Sequence, residues 1–137
     1  MPEYALVFGL DANTYAKAKP GKQAASADFL KDVYGKGLAA SCGETTDTRT
    51  TFCARTYLQP QLQKACKAAE KKSKGDYNPK DYILFSPSVL SVASMGCDNT
   101  GKGKHDVDMV IPTLDWPSDH ALLYTTFDVK AAAVPIS

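Results

Sequence analysis

Three stretches of this chain place acids, an amide and an imidazole at the ends of apolar runs. Tyr4-Ala5-Leu6-Val7-Phe8-Gly9-Leu10 delivers Asp11 and Asn13, Asp81 opens Tyr82-Ile83-Leu84-Phe85, and Trp116-Pro117-Ser118-Asp119-His120 leads into Ala121-Leu122-Leu123-Tyr124. A carboxylate can orient or deprotonate water, an amide can donate to an anionic oxygen, and a histidine serves as acid, base or cation near neutral pH. Such a set suits phosphoester hydrolysis, which needs an activated water, charge against the phosphoryl oxygens and a means of stabilising the leaving oxygen. The spacing of two sends Asp11 and Asn13 to the same side of an extended loop end. Each fragment alone has a plainer reading. Asp-x-Asn often closes a turn on its own backbone, and an isolated Asp-His pair is commonly a turn-capping aspartate with a neighbour.

The elements that must position these residues follow from apolar patterning. Residues 4–10 are short and almost wholly apolar, as in a strand buried on both faces. A helix starts at Ser26 or Ala27, carries Phe29, Leu30, Val33 and Tyr34 on one side, and stops at Gly35 and Gly37. Residues 50–57 have strand composition, and residues 61–74, rich in Ala, Lys, Gln and Glu, an exposed helix. Strands are expected at 82–85, 89–95, 109–111 and 121–129, with a mobile loop at 97–106. The later connections are too short for helical crossovers. The expected architecture is α+β: a single mixed or antiparallel sheet with helices on one face, in one domain spanning residues 1–137.

Asp11-x-Asn13, Asp81-Tyr82-Ile83 and Ser118-Asp119-His120 occur in the order of the later active-site motifs of the endonuclease/exonuclease/phosphatase superfamily, which this chain resembles. Thr50-Thr51-Phe52 resembles the threonine-bearing strand that often precedes the Asp-Tyr-Ile strand in that family. The resemblance covers nearly the whole chain but only the C-terminal half of the family's DNase I-like four-layer α/β sandwich. It implies a metal-dependent phosphoesterase, acting through activated water on a phosphodiester or phosphomonoester. Asp11, Asn13, Asp81 and His120 would be catalytic, with Asp81 orienting His120. Asp119 and Asp11 would hold Mg2+, with Mn2+ as a substitute. Substrates in the family span nucleic acids, nucleotides, inositol phosphates and phospholipid head groups. Its first half supplies an asparagine and the main metal-ligating glutamate. Neither has a counterpart here, since Glu3, Glu44 and Glu70 lie in the wrong contexts, and Leu10 departs from the commoner Gly-Asp-x-Asn pattern. A chain lacking that half would need it supplied, and the alternative is a non-catalytic interaction module or subunit.

Composition narrows the field. Sixteen basic against 15 acidic side chains leave a net charge of +1, so no general polyanion-binding surface is advertised. Lys64, Lys67, Lys71, Lys72 and Lys74, and separately Lys102 and Lys104, read as solvated local clusters. No apolar stretch is long enough for a transmembrane helix, and residues 1–3 begin no signal peptide, which leaves a cytoplasmic location as the default expectation. Cys42, Cys53, Cys66 and Cys97 form no Cys-x-x-Cys pair; reduced thiols are favoured, although an even count could pair in an exported protein. Cys97, His105, Asp106 and Asp108 match no zinc spacing, and Gly101-Lys102-Gly103-Lys104 is not a phosphate-binding P-loop. Half a sandwich leaves one sheet face open, so a homo-oligomer or partner chain is expected to cover it.

Overall fold

The computed structural model describes residues 4–18, 21, 24–43, 78–107, 109 and 111–131. The elements in chain order are β1 (Val7–Asp11), α1 (Ser26–Gly35), β2 (Ala39–Ala40), β3 (Asp81–Phe85), β4 (Leu90–Asp98) and β5 (Leu122–Val129). The strand expected at 50–57 and the helix expected at 61–74, with its lysines, lie outside the described residues, as do Cys53, Cys66 and Asp108.

The expected single sheet is replaced by two small antiparallel ones. One has the order β1-β3-β2, and the other pairs β4 with β5. The described residues build no four-layer sandwich. The reason is in the strand after β3. Beyond Phe85 the chain turns through residues 86–89, and β4 then pairs along its length with β5 rather than continuing the first sheet. Phe85 and Phe127, with ring centroids 5.0 Å apart, join the two sheets.

Period-two alternation decides what each face of β3 does. Tyr82 and Leu84 point to α1 and form a core with Leu30, Val33 and Ala40, against which Leu10 and Phe29 pack. The Phe29 and Tyr82 rings lie 4.8 Å apart. Leu30 is only 3% exposed, and burying such a side chain contributes about 1.5–3 kcal/mol. The alternate residues, Asp81, Ile83 and Phe85, therefore face away from the helix. Helix α1 ends as its glycines suggest: Gly37 adopts φ 78°, and the Leu38 N–H returns to the Val33 carbonyl.

Three further expectations are corrected. β1 is not buried on both faces, since Val7 and Phe8 are 51% and 53% exposed. Among the described residues it lies at the edge of its sheet, so only one side is paired. Met109 and Ile111 belong to no strand; Ile111 is apolar because it is fully buried, at 0% exposure, rather than because it pairs. The loop expected to be mobile after Cys97 is instead tied down. Cys97 itself ends in β4, and the Asp98 carboxylate accepts from the backbone N–H groups of Thr100, Gly101 and Gly103 and from the Thr100 hydroxyl. Asn99 exchanges two hydrogen bonds with the Asp106 backbone.

The segment after β1 is strapped to the segment before β3. Ala12 N–H donates to the Lys80 carbonyl at 2.8 Å, Ala16 N–H to Asn78 Oδ1 at 3.0 Å, and Thr14 Oγ1 to the Pro79 carbonyl at 2.7 Å. Thr14 is 2% exposed and its hydroxyl also meets the Tyr82 hydroxyl at 2.8 Å. Replacing that hydroxyl by a methyl removes the hydrogen bonds that the buried Tyr82 hydroxyl and the Pro79 carbonyl make with it. Thr14→Val should therefore cost about 1–3 kcal/mol, seen as a lowered urea midpoint with unchanged slope. An unshifted midpoint would show that this strap does not hold the loop.

Candidate functional site

Asp11 is the last residue of β1 and Asp81 the first of β3, and the antiparallel register sets them directly opposite each other. Cross-strand partners share a face, so both carboxylates emerge on the side turned away from α1. Two like charges there repel. His120 meets them, its Nδ1 lying 2.9 Å and 3.1 Å from the two Asp81 carboxylate oxygens. One ligand atom from each of Asp11, Asp81 and His120 falls within 4.8 Å of the others.

His120 is delivered by a loop whose backbone is fixed on both sides of it. Its N–H donates to Ser118 Oγ at 3.1 Å, and its carbonyl accepts from Trp116 Nε1 at 2.8 Å. Trp116 is held in turn, its N–H donating to Thr113 Oγ1 and its carbonyl accepting from the Thr113 N–H. The Asp98 loop backs this arrangement: a Cβ added at Gly101 would lie 4.0 Å from the Asp115 carbonyl and from the Trp116 ring. Asp98 also pairs with Leu122, two residues beyond His120.

The electrostatics follow from this packing. Partial burial disfavours the charged form of His120, but the Asp81 hydrogen bond and the charges of Asp81, Asp119 and Asp11 outweigh it, so its pKa is raised. Because a carboxylate only accepts, Nδ1 carries the hydrogen and Nε2 is left for other partners: an acceptor in the neutral ring, a donor in the protonated one. Burial also opposes the charge on Asp98, yet its hydrogen bonds hold that carboxyl down at about 2. The Cys97 thiol is pushed up to about 12, first by burial and then by the charges of Asp98 and Asp81, so it stays neutral and is no nucleophile at ordinary pH. Neither Cys42 nor Cys97 enters a disulfide.

The remaining residues singled out in the sequence lie around this cluster. Asp119 is half-buried; its charge reaches His120, but the tight group of ligand atoms comprises Asp11, Asp81 and His120. Asn13 is exposed at φ 50°, with its N–H bound to Asp11 Oδ1 at 2.7 Å. Asn and Asp side chains favour this turn, which answers to the plainer reading of Asp-x-Asn and leaves the Asn13 carboxamide for other work. Sequence reasoning did not single out Lys80, Trp116 or Asp98. Their signals were slight: a lysine before Asp81, a tryptophan four residues before His120, and an Asp-Asn-Thr-Gly turn after a strand.

The pH dependence has a definite sign. A raised folded-state pKa means that the His120 proton stabilises the fold fully below the unfolded value of about 6.5, and that this contribution is lost as pH rises through the raised value. An NMR titration of the His120 ring should give a midpoint above that reference, and Asp81→Asn should lower it, because an amide contributes no charge. An unchanged midpoint in the variant would show that Asp81 does not govern the ring. No protein-family model matches the chain, and neither do any curated protein or solved structure.

Proposed function

We propose that the Asp11, Asp81 and His120 face is the hydrolytic part of a Mg2+-dependent phosphoesterase site. The observation that carries this reading is the Asp81–His120 pair set against Asp11 across one strand register. Asp81 keeps His120 oriented and protonated further up the pH scale, so that Nε2–H can donate to a phosphoryl oxygen or to the leaving oxygen. Asp11 can orient or deprotonate the attacking water, and the Asn13 carboxamide can donate to the phosphate. The donor set is rich in carboxylate oxygen, which fits a hard cation. Asp11 and Asp119 would hold Mg2+, or Mn2+ in its place, which supplies charge neutralisation at the phosphoryl oxygens. Substrates are phosphodiesters or phosphomonoesters.

These 137 residues offer no counterpart to the family's metal-ligating glutamate. Each missing contact of this kind costs on the order of 10²- to 10³-fold in rate. The chain by itself should therefore hydrolyse phosphoesters very slowly, and a polypeptide supplying the asparagine and glutamate elements should raise a Mg2+-dependent rate. His120→Ala should then lower that rate by about 10²- to 10⁴-fold. The wild-type rate should fall as pH climbs through the raised His120 pKa. Robust hydrolysis without that addition would mean the metal site is elsewhere, and inertness of the completed pair on every phosphoester class would remove the catalytic reading.

The interaction-module reading draws on one observation: Tyr4, Leu6, Val7 and Phe8, along and beside the outer strand β1, are 48–81% exposed. On that reading the chain should self-associate or bind a partner through β1, and a stable monomer at high concentration in sedimentation, with no partner, would count against it.

A further inference from the structure

A carboxamide helps an anionic oxygen only with its NH2 turned towards it, and its two ends are nearly the same shape. At Asn13 the choice is made by Lys80. This lysine is 4% exposed, an unusual burial for its type. Its Nζ donates to Asn13 Oδ1 at 2.6 Å and lies 4.4 Å from the centre of the Tyr15 ring. An ammonium has three donors and no acceptor, so only the carboxamide oxygen can face it. The backbone at both ends is also fixed: the Lys80 carbonyl accepts from Ala12 N–H, and Asn13 N–H donates to Asp11. Lys80 immediately precedes Asp81 and Asn13 follows Asp11 by two, so the lock sits beside the paired carboxylates.

We infer that Lys80 is a positioning residue that locks the Asn13 carboxamide, leaving both Nδ2–H groups turned away from Lys80 to meet an anionic oxygen. That the oxygen belongs to a phosphoryl group rests on the phosphoesterase reading. Lys80 acts here through Asn13, and not as a general attractive charge.

The test uses the 13C,15N-labelled chain with inorganic phosphate and Mg2+ as the probe. Without ligand, Lys80→Met should shift the Asn13 carboxamide carbon resonance. With phosphate, the wild-type Asn13 Nδ2H2 and His120 ring signals should move together. Lys80→Met should weaken phosphate binding on the order of tenfold, the scale of one hydrogen bond to a charged group, and should weaken it no further in an Asn13→Ala background. Equal loss in both backgrounds would make Lys80 a general charge and overturn the inference. Asn13→Asp keeps an acceptor for Lys80 but has no N–H and adds a negative charge, so it should bind phosphate at least as poorly as Asn13→Ala even if Lys80→Met fails to fold. Wild-type affinity in Asn13→Asp would also overturn the inference. Phosphate that moves His120 but not Asn13 would defeat the role given to the Asn13 amide, and phosphate that moves neither even with the completing polypeptide present would defeat the phosphoesterase reading as well. An unmoved carboxamide carbon in ligand-free Lys80→Met would defeat the lock itself.

Discussion

Two carboxylates standing opposite each other across β1 and β3 are the constraint around which the described structure is arranged. Asp11 and Asp81 are fixed there by an antiparallel register, and the ligand atoms of the cluster lie within 4.8 Å of one another. Like charges that close repel, the more weakly for the water that reaches the exposed Asp11. A positive partner relieves that repulsion. His120 does so from the loop before β5, and its raised pKa is the other side of the same interaction. A divalent cation would relieve the same repulsion.

Holding an imidazole against two acids requires that its backbone not drift, and much of the surrounding polar structure serves that end. Ser118 and Trp116 bind the His120 amide and carbonyl, and the Asp98-centred turn packs on Trp116. On the other side, Thr14, Ala12 and Ala16 strap the segment after β1 to residues 78–80. Among them the buried bonds at Thr14 would be costly to leave unmade, and together these bonds tie both loops at several points. Sites built this way lose little free energy to reordering when a ligand arrives. Beneath them, the core of α1 against Tyr82 and Leu84 fixes the direction in which Asp81 points, because alternation leaves it no other face.

Local chemistry was legible in the sequence wherever a single short pattern sufficed. Helix α1 and its stop at Gly35 and Gly37 followed from apolar spacing and glycine, and the strand after Asp81 from its apolar run. Asp11, Asn13, Asp81, Asp119 and His120 stood out because each closes or opens such a run. Strand partners were not legible. The single sheet was a reading of strand count, and a strand's alternation states which side is apolar without stating what covers it. For the same reason β1 looked doubly buried, and Ile111 looked like part of a strand. The turn after Cys97 looked mobile because Gly, Asn, Lys and Asp are loop residues whether or not a buried carboxylate gathers their N–H groups.

The sequence by itself determined which acid, amide and imidazole side chains stand at the ends of its apolar runs, and the β1, α1 and β3 segments whose patterning is local. Tertiary structure alone decided that β4 and β5 form a second sheet and that Asp11 faces Asp81 in register. It also decided that His120 binds Asp81 through Nδ1 and that Lys80 donates to the Asn13 carboxamide oxygen. These all depend on contacts between residues far apart in the chain, 67 positions for Lys80 and Asn13 and 39 for Asp81 and His120. Hydrogen-bond direction and burial at such separations are set by the packing of whole elements, and no local pattern of residue types carries that information.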